Sequence, residues 1–151
     1  MAEDKAKLVG INHIALEVGD VNKALESYNS IFNFQLRSKL ETKAFIDMGD
    51  QFIALSETEN REKDKERHFG LVVDDLEKVE EKVSEHKDVE LIDTSGLDFY
   101  DPWGNRFQII EYSQIQFTKA DHILRGMNLQ SLEKSEKAIR ELKDKNMSAD
   151  N

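Results

Sequence analysis

The order of hydrophobic patterns along the chain predicts an α+β fold: two βαβββ modules in succession, followed by a helical C-terminal tail. Three observations carry this. The order strand, helix, three strands occurs twice, as an internal repeat of about 50 residues. Each copy opens the same way, with a His, an alternating apolar strand, an acidic residue and an amphipathic helix. Between the copies lies a run without a single apolar residue, Glu57–Arg67, which reads as a solvated linker. The resulting organisation is 8–57 for the first module, 58–67 for the linker, 68–112 for the second module and 113–151 for the tail. One copy alone leaves a sheet face unburied, so the two are expected to pack as a pair.

Val9–Val18 reads as the first strand, with Ile14, Leu16 and Val18 on one face and His13, Ala15 and Glu17 on the other. Asp20 stands at the N-cap position of a helix carrying Val21, Ala24, Leu25, Tyr28, Ile31 and Phe32. Three short strands follow at Gln35–Leu40, Lys43–Met48 and Gln51–Ser56, the last two joined through Gly49-Asp50. The second copy restarts with a strand at His68–Asp74 and a helix behind Asp75 with Leu76, Val79 and Val83 inward. Its remaining strands fit Glu90–Thr94, Asp98–Tyr100 and Asn105–Tyr112, punctuated by the turn Asp101-Pro102-Trp103-Gly104. In the tail, Leu132, Ile139 and Leu142 form a thin helical stripe behind Ser131 as N-cap, after a break at Gly126. The last residues, from Lys145, are expected to fray.

With 151 residues the chain can bury roughly two-thirds of its unfolded surface without help from disulfides or structural metal. It has no cysteine, which excludes disulfide scaffolds, thiolate metal sites and cysteine nucleophiles. A net charge of −10 repels phosphate backbones and anionic membranes. No nucleic acid and no membrane are therefore expected as partners. The opening residues contain no apolar run of signal-peptide length, so the expected location is cytoplasmic.

His13 and His68 occupy equivalent places in the two copies, each alternating away from the apolar face of its strand. If a pseudo-twofold axis relates the copies, the two imidazoles converge on one cleft, as a metal site requires. Either alone reads as an ordinary hydrogen-bonded strand histidine. His86 and His122 read as surface residues, and so does Arg106.

The openings Gly10-Ile-Asn-His13-Ile-Ala-Leu-Glu-Val18 and His68-Phe-Gly-Leu-Val-Val-Asp74 and the closing Phe99-Tyr-Asp-Pro-Trp-Gly-Asn-Arg-Phe-Gln-Ile-Ile-Glu-Tyr112 resemble the vicinal oxygen chelate superfamily. That group holds glyoxalase I, bleomycin resistance proteins, fosfomycin resistance enzymes and extradiol dioxygenases. The resemblance covers roughly 8–112 and implies the glyoxalase-like fold, a curved mixed sheet around a cleft. It also implies metal ligands on the first and last strands of each module. Carried over singly, these positions hold His13, Ala54, His68 and Gln108, so the implied metal set is His13, His68 and Gln108.

No carboxylate remains in that set, which lowers the expected affinity for Mn, Fe, Zn or Ni. Ala54, Gln108 and Glu17 together argue against glyoxalase I itself, because Glu17 stands where that enzyme grips a glutathione carboxylate with Arg. Alternation adds Phe52, Ser56, Ile110 and Tyr112 as ligand-binding candidates, with Val72 beside His68 and with Phe99 and Trp103 at the cleft mouth. The expected function is a cleft for a divalent metal and a small molecule chelating through vicinal oxygens, with lyase- or dioxygenase-like chemistry. The alternative is a metal-free protein that sequesters a small molecule, of the bleomycin-resistance type. A homodimer fits both, since members of the superfamily often pair modules across subunits.

Overall fold

The computed structural model describes residues 5–7, 9–59 and 62–149; the expectations for residue 8, for 60–61 of the linker and for 150–151 of the tail lie outside them. The first module runs β1 (His13–Val18), α1 (Val21–Asn29), β2 (Gln35–Lys39), β3 (Lys43–Asp47) and β4 (Phe52–Glu57). The second runs β5 (Phe69–Val73), α2 (Leu76–Glu85), β6 (Glu90–Ile92), β7 (Leu97–Tyr100) and β8 (Arg106–Glu111). Each builds a four-stranded mixed sheet of the same order, β1-β4-β3-β2 and β5-β8-β7-β6, in which the first strand pairs parallel with the last.

The helices start as the sequence predicts and are tied down twice. Asp20 accepts the Lys23 N–H and Asp75 the Lys78 N–H, at 2.9 and 3.3 Å. A second carboxylate in each module comes from the end of its last strand. Glu57 accepts the Val21 N–H at 3.0 Å and Glu111 the Leu76 N–H at 3.1 Å, so strand and helix are joined at the same place in both copies.

β1 begins at His13 rather than at Val9, and Val9 and Ile11 are 99% and 68% exposed. Alternation alone does not make a strand there, because its partner β4 starts only at Phe52. The preceding residues are spent in a turn, in which Met48 N–H donates to Gln51 O at 2.9 Å and Gly49 takes φ +84.

One core serves both modules. Leu16, Val18, Ile53 and Leu55 from the first sheet and Phe99, Phe107 and Ile109 from the second belong to a single cluster with Val21, Ala24 and Tyr28 of α1 and Val79 and Val83 of α2. Across the seam the Tyr28 ring meets Phe107 edge-on at 5.7 Å and Phe32 approaches Phe99 at 6.5 Å. The Asp-Pro-Trp-Gly-Asn turn locks this seam. Asp101 accepts from the N–H groups of Trp103 and Asn105, from Asn105 Nδ2 and, at 2.6 Å, from the Tyr28 hydroxyl of the other module. Asn105 Nδ2 also donates to Glu17 O at 2.8 Å. Burial raises the Asp101 carboxyl above its ordinary range against the pull of these hydrogen bonds.

The linker is not simply solvated. Asp64 is buried, its N–H donating to Gly104 O at 2.9 Å and its carbonyl accepting from Tyr100 Oη at 2.9 Å. Apolar patterning is blind to this docking, which rests on polar groups.

The tail folds as a 3₁₀ turn (Tyr112–Gln114), α3 (Asp121–Gly126) and α4 (Glu136–Asp144). Ser135, not Ser131, caps α4, accepting the Ala138 N–H at 3.2 Å. Ala138 is its buried residue, whereas Ile139, expected in the inward stripe, is 49% exposed. Lys134 pins the tail back, donating to the carbonyls of Tyr112 (2.6 Å), Ile115 (2.8 Å) and Phe117 with its Nζ over the Tyr112 ring. Through Met127 and Ile123, α3 lies against Gly49 in the β3–β4 turn, and Lys119 pairs with Asp50 there. Among the described residues no helix is long and apolar enough to cross a membrane.

Candidate functional site

Each sheet keeps one face on the shared core and turns the other away from it. On the first sheet the outer face carries His13, Ala15 and Glu17 of β1, all exposed, in register with Phe52, Ala54 and Ser56 of β4. Phe45 and Asp47 of β3 continue those rows. On the second sheet the outer face carries Gly70 and Val72 of β5, in register with Gln108 and Ile110 of β8, with His68 immediately before β5. The Ile110 side chain occupies the space above Gly70, where a Cβ would lie 2.9 Å from its Cδ1.

The two histidines are held alike. His13 Nδ1 lies 2.8 Å from Asn12 Oδ1 and His68 Nδ1 lies 2.8 Å from Glu66 O. Both partners are carbonyl oxygens and accept, so Nδ1 is the donor in each ring and Nε2 is the nitrogen left for another partner. Neither Nε2 has a hydrogen bond among the described residues. An imidazole that donates from Nδ1 to a carbonyl is oriented as one that ligates a metal through Nε2 is. His13 is further fixed by stacking on Phe52, ring centroids 4.6 Å apart and planes at 7°. His86 contrasts with both: Nδ1 accepts the Asp88 N–H and Nε2 faces Ser27 Oγ, so both nitrogens are spent on structure and the residue ties α2 to α1.

The remaining candidates fall on the faces as follows. His13, Phe52 and Ser56 share one outer face, and His68, Gln108 and Ile110 share the other, but no hydrogen bond or ring contact joins His13 to His68 or Gln108. Among the described residues no group of three or more His, Cys, Asp or Glu is gathered at metal-binding spacing. Phe99, expected at the cleft mouth, is fully buried and stacked on Phe107 at 5.0 Å. Register explains it, since Asp98 rather than Phe99 pairs with Gln108. Tyr112, expected to follow Ile110, is also buried, because β8 ends at Glu111 and the chain turns into the tail. Trp103 lies at the seam against Gly19, lining an open groove of about 580 Å³ at the end of β1 remote from His13. Arg106 is committed to Asp98 (3.3 Å) and to Lys65 O (2.8 Å).

One residue of the first face escaped the sequence. Arg37 sits in a bulge of β2 between Leu36 and Ser38, and its guanidinium lies 4.6 Å from the Phe52 ring centroid. A bulge leaves no periodic signal.

Two duplicated βαβββ sheets, each with a strand-borne imidazole on its outer face, define a protein of the glyoxalase-like fold. The chain belongs to the glyoxalase/bleomycin resistance protein/dioxygenase superfamily, whose family model matches residues 10–109. It is 25% identical over 113 residues to the metallothiol transferases FosB of Staphylococcus haemolyticus and Staphylococcus epidermidis, spanning 66% of this chain and 81% of each relative. Among solved structures, the fosfomycin resistance protein FosX of Listeria monocytogenes matches with a TM-score of 0.58 at 20% identity, covering 68% of this chain and 91% of that one. FosX of Mesorhizobium loti gives 0.56 at 18%, covering 68% and 92%. A variant of the Listeria protein complexed with Mn(II) and 1S,2S-dihydroxypropylphosphonic acid gives 0.57 at 22%, covering 68% and 90%. At these identities the solved structures speak for the fold.

Proposed function

We propose that the chain binds a divalent metal and a small molecule chelating it through neighbouring oxygens, in a cleft completed by a second copy. In this reading the His13 face of one chain meets the His68 and Gln108 face of the other. The observation that carries it is the matched pair of histidines, each with Nδ1 donating to a carbonyl and Nε2 left for another partner. Two neutral imidazoles and the Gln108 amide oxygen suit a divalent ion bound weakly enough for substrate oxygens to complete its shell. A bound ion supplies Lewis-acid stabilisation of developing negative charge on the ligand, the basis of a lyase-like reaction. The chain's own part is to hold the two rings, with Phe52 stacked on one of them as an apolar floor. The FosB and FosX relatives and the Mn(II) complex of one of them support a metal-dependent reaction of this kind.

Elemental mass spectrometry of untagged protein purified without chelator tests this. Near-stoichiometric metal, lost in the His13→Ala, His68→Ala double variant, supports the site. No metal even after soaking with Mn²⁺, Ni²⁺ and Zn²⁺ overturns it in favour of metal-free small-molecule binding. Mixing the two single variants tests the shared cleft. A trans site is regenerated once per mixed dimer, restoring about a quarter of the wild-type sites after random exchange, whereas a site within one chain restores none.

A further inference from the structure

The supports of the two histidines differ in kind. His68 leans on main chain, the Glu66 carbonyl, whereas His13 leans on two side chains, the Asn12 amide and the Phe52 ring. The pose of His13 therefore depends on whatever fixes Asn12 and Phe52, and both are tied to the turn that opens β4. Phe52 N–H donates to Asn12 O at 3.2 Å, and Gln51 Nε2 donates to Ile11 O at 2.9 Å. Arg37 braces the same turn from β2. Its Nη2 donates to Gly49 O at 2.8 Å and to Gln51 O at 3.0 Å, and its guanidinium lies 4.6 Å from the Phe52 ring centroid.

The turn is also held from outside its own module. The C-terminal tail, beyond the family match at 10–109, leaves the second module after β8 and reaches the first at Gly49 and Asp50. Gly49 is left-handed at φ +84 and has no side chain to keep α3 away; a Cβ there would lie 2.5 Å from Met127 Sδ and 3.3 Å from Ile123 Cγ2. Lys119 pairs with Asp50, and its side chain is only 9% exposed, so its charge is committed to that carboxylate. An ion pair and an apolar contact thus meet on adjacent residues of one tight turn. We propose that the tail is a positioning element of the metal site: through Lys119 and Met127 it holds the Gly49-Asp50 turn, and through the turn it holds Phe52 and the His13 ring in the pose that leaves Nε2 for an ion. This deepens the reading above and rests on it for the ion alone. No hydrogen bond, ion pair or ring contact joins the tail to His68 or Glu66 among the described residues, so His68 lies outside this control.

Ring-nitrogen NMR of the full chain, metal-free and at a pH where both imidazoles are neutral, tests this with His68 as internal reference. In the wild type both rings are expected to carry the proton on Nδ1. The double variant Lys119→Met, Met127→Ala is expected to leave His13 averaged between its two tautomers while His68 keeps its pattern, and each single variant gives part of the same shift. Lys119→Arg and Met127→Leu, which keep the charge and the bulk, are expected to leave both rings as in the wild type. Calorimetry with Mn²⁺ reads the consequence: affinity falls with the fraction of competent His13 rings, about threefold where about a third retain the wild-type pose. His13 unchanged in the single and double variants overturns the proposal, and so does an equal change at His68, the mark of general loosening. Wild-type protein that takes up no Mn²⁺ overturns the metal reading instead, and the imidazole spectra still decide the role of the tail.

Discussion

Removing one hydroxyl at the seam, with Tyr28→Phe, should destabilise the protein in a pH-dependent way. The Tyr28 hydroxyl donates to Asp101 at 2.6 Å in a site where Asp101 is 4% exposed. A hydrogen bond of this length to a buried carboxylate contributes about 1.5–3 kcal/mol. For a chain of this size a loss of about 2 kcal/mol lowers Tm by about 4–8 °C. The sign of the pH effect follows from burial, which raises the Asp101 carboxyl above its unfolded value. A raised carboxyl favours the protonated folded state, so its contribution is complete below the unfolded value near 3.8 and is lost as pH climbs through the folded one. Tyr28 stabilises the ionised form. Without it the carboxyl rises further, and the deficit of the variant grows as pH climbs from the unfolded value near 3.8 toward neutrality. Urea denaturation of both proteins across that range measures it. A deficit that does not change with pH, or one below about 0.5 kcal/mol, would refute the account of the seam.

Gly104→Ala should cost more than about 2 kcal/mol, because a positive φ of 84 meets a Cβ that would lie 2.6 Å from Lys63 Cα; thermal melting reads it, and a loss under 1 kcal/mol would mean the linker is not docked there. Lys134→Met leaves three carbonyls without their donor, so amide exchange in 119–147 should accelerate about tenfold or more while the sheets keep their protection. Glu57→Ala and Glu111→Ala should each cost about 1 kcal/mol and add in the double variant, since the ties lie in different modules; strong non-additivity in chemical denaturation would contradict two separate ties. Gln108→Glu puts an anionic oxygen into the proposed metal set and should tighten Mn²⁺ binding about tenfold or more by calorimetry; unchanged affinity would place Gln108 outside the site.

Much of the fold was legible because its signals are local. Asp20 and Asp75 announce their helices, and the strand order follows from alternation repeated twice. What failed needed information about partners. Val9 and Ile11 alternate like strand residues but have nothing to pair with, because the turn at Gly49 sets where β4 begins. The choice between Asp98 and Phe99 for the outer face depended on the register with β8, and the burial of Asp64 on polar contacts that leave no apolar trace. At the candidate site, His13 and His68 could be picked out by repeat position, and Gln108 only through the family resemblance. What the outer face of each sheet meets was not legible, because periodicity tells which side of a strand a residue occupies and not which neighbour that side meets. Arg37 was invisible for a related reason, as one extra residue in β2 re-aims a side chain without altering the pattern around it.

The two carboxylates bind the last strand of each module to the start of its own helix, closing the same link in each half. Every such tie falls within a half, and none spans the seam. Residues on the outward faces can therefore be exchanged without disturbing the closures behind them. Such a frame lets chemistry drift while architecture stays put: the duplication that set two imidazoles in matching places did not oblige their surroundings to stay alike. Ala54 and Gln108, occupying corresponding positions in the two last strands and now unlike in kind, are the visible trace of that freedom.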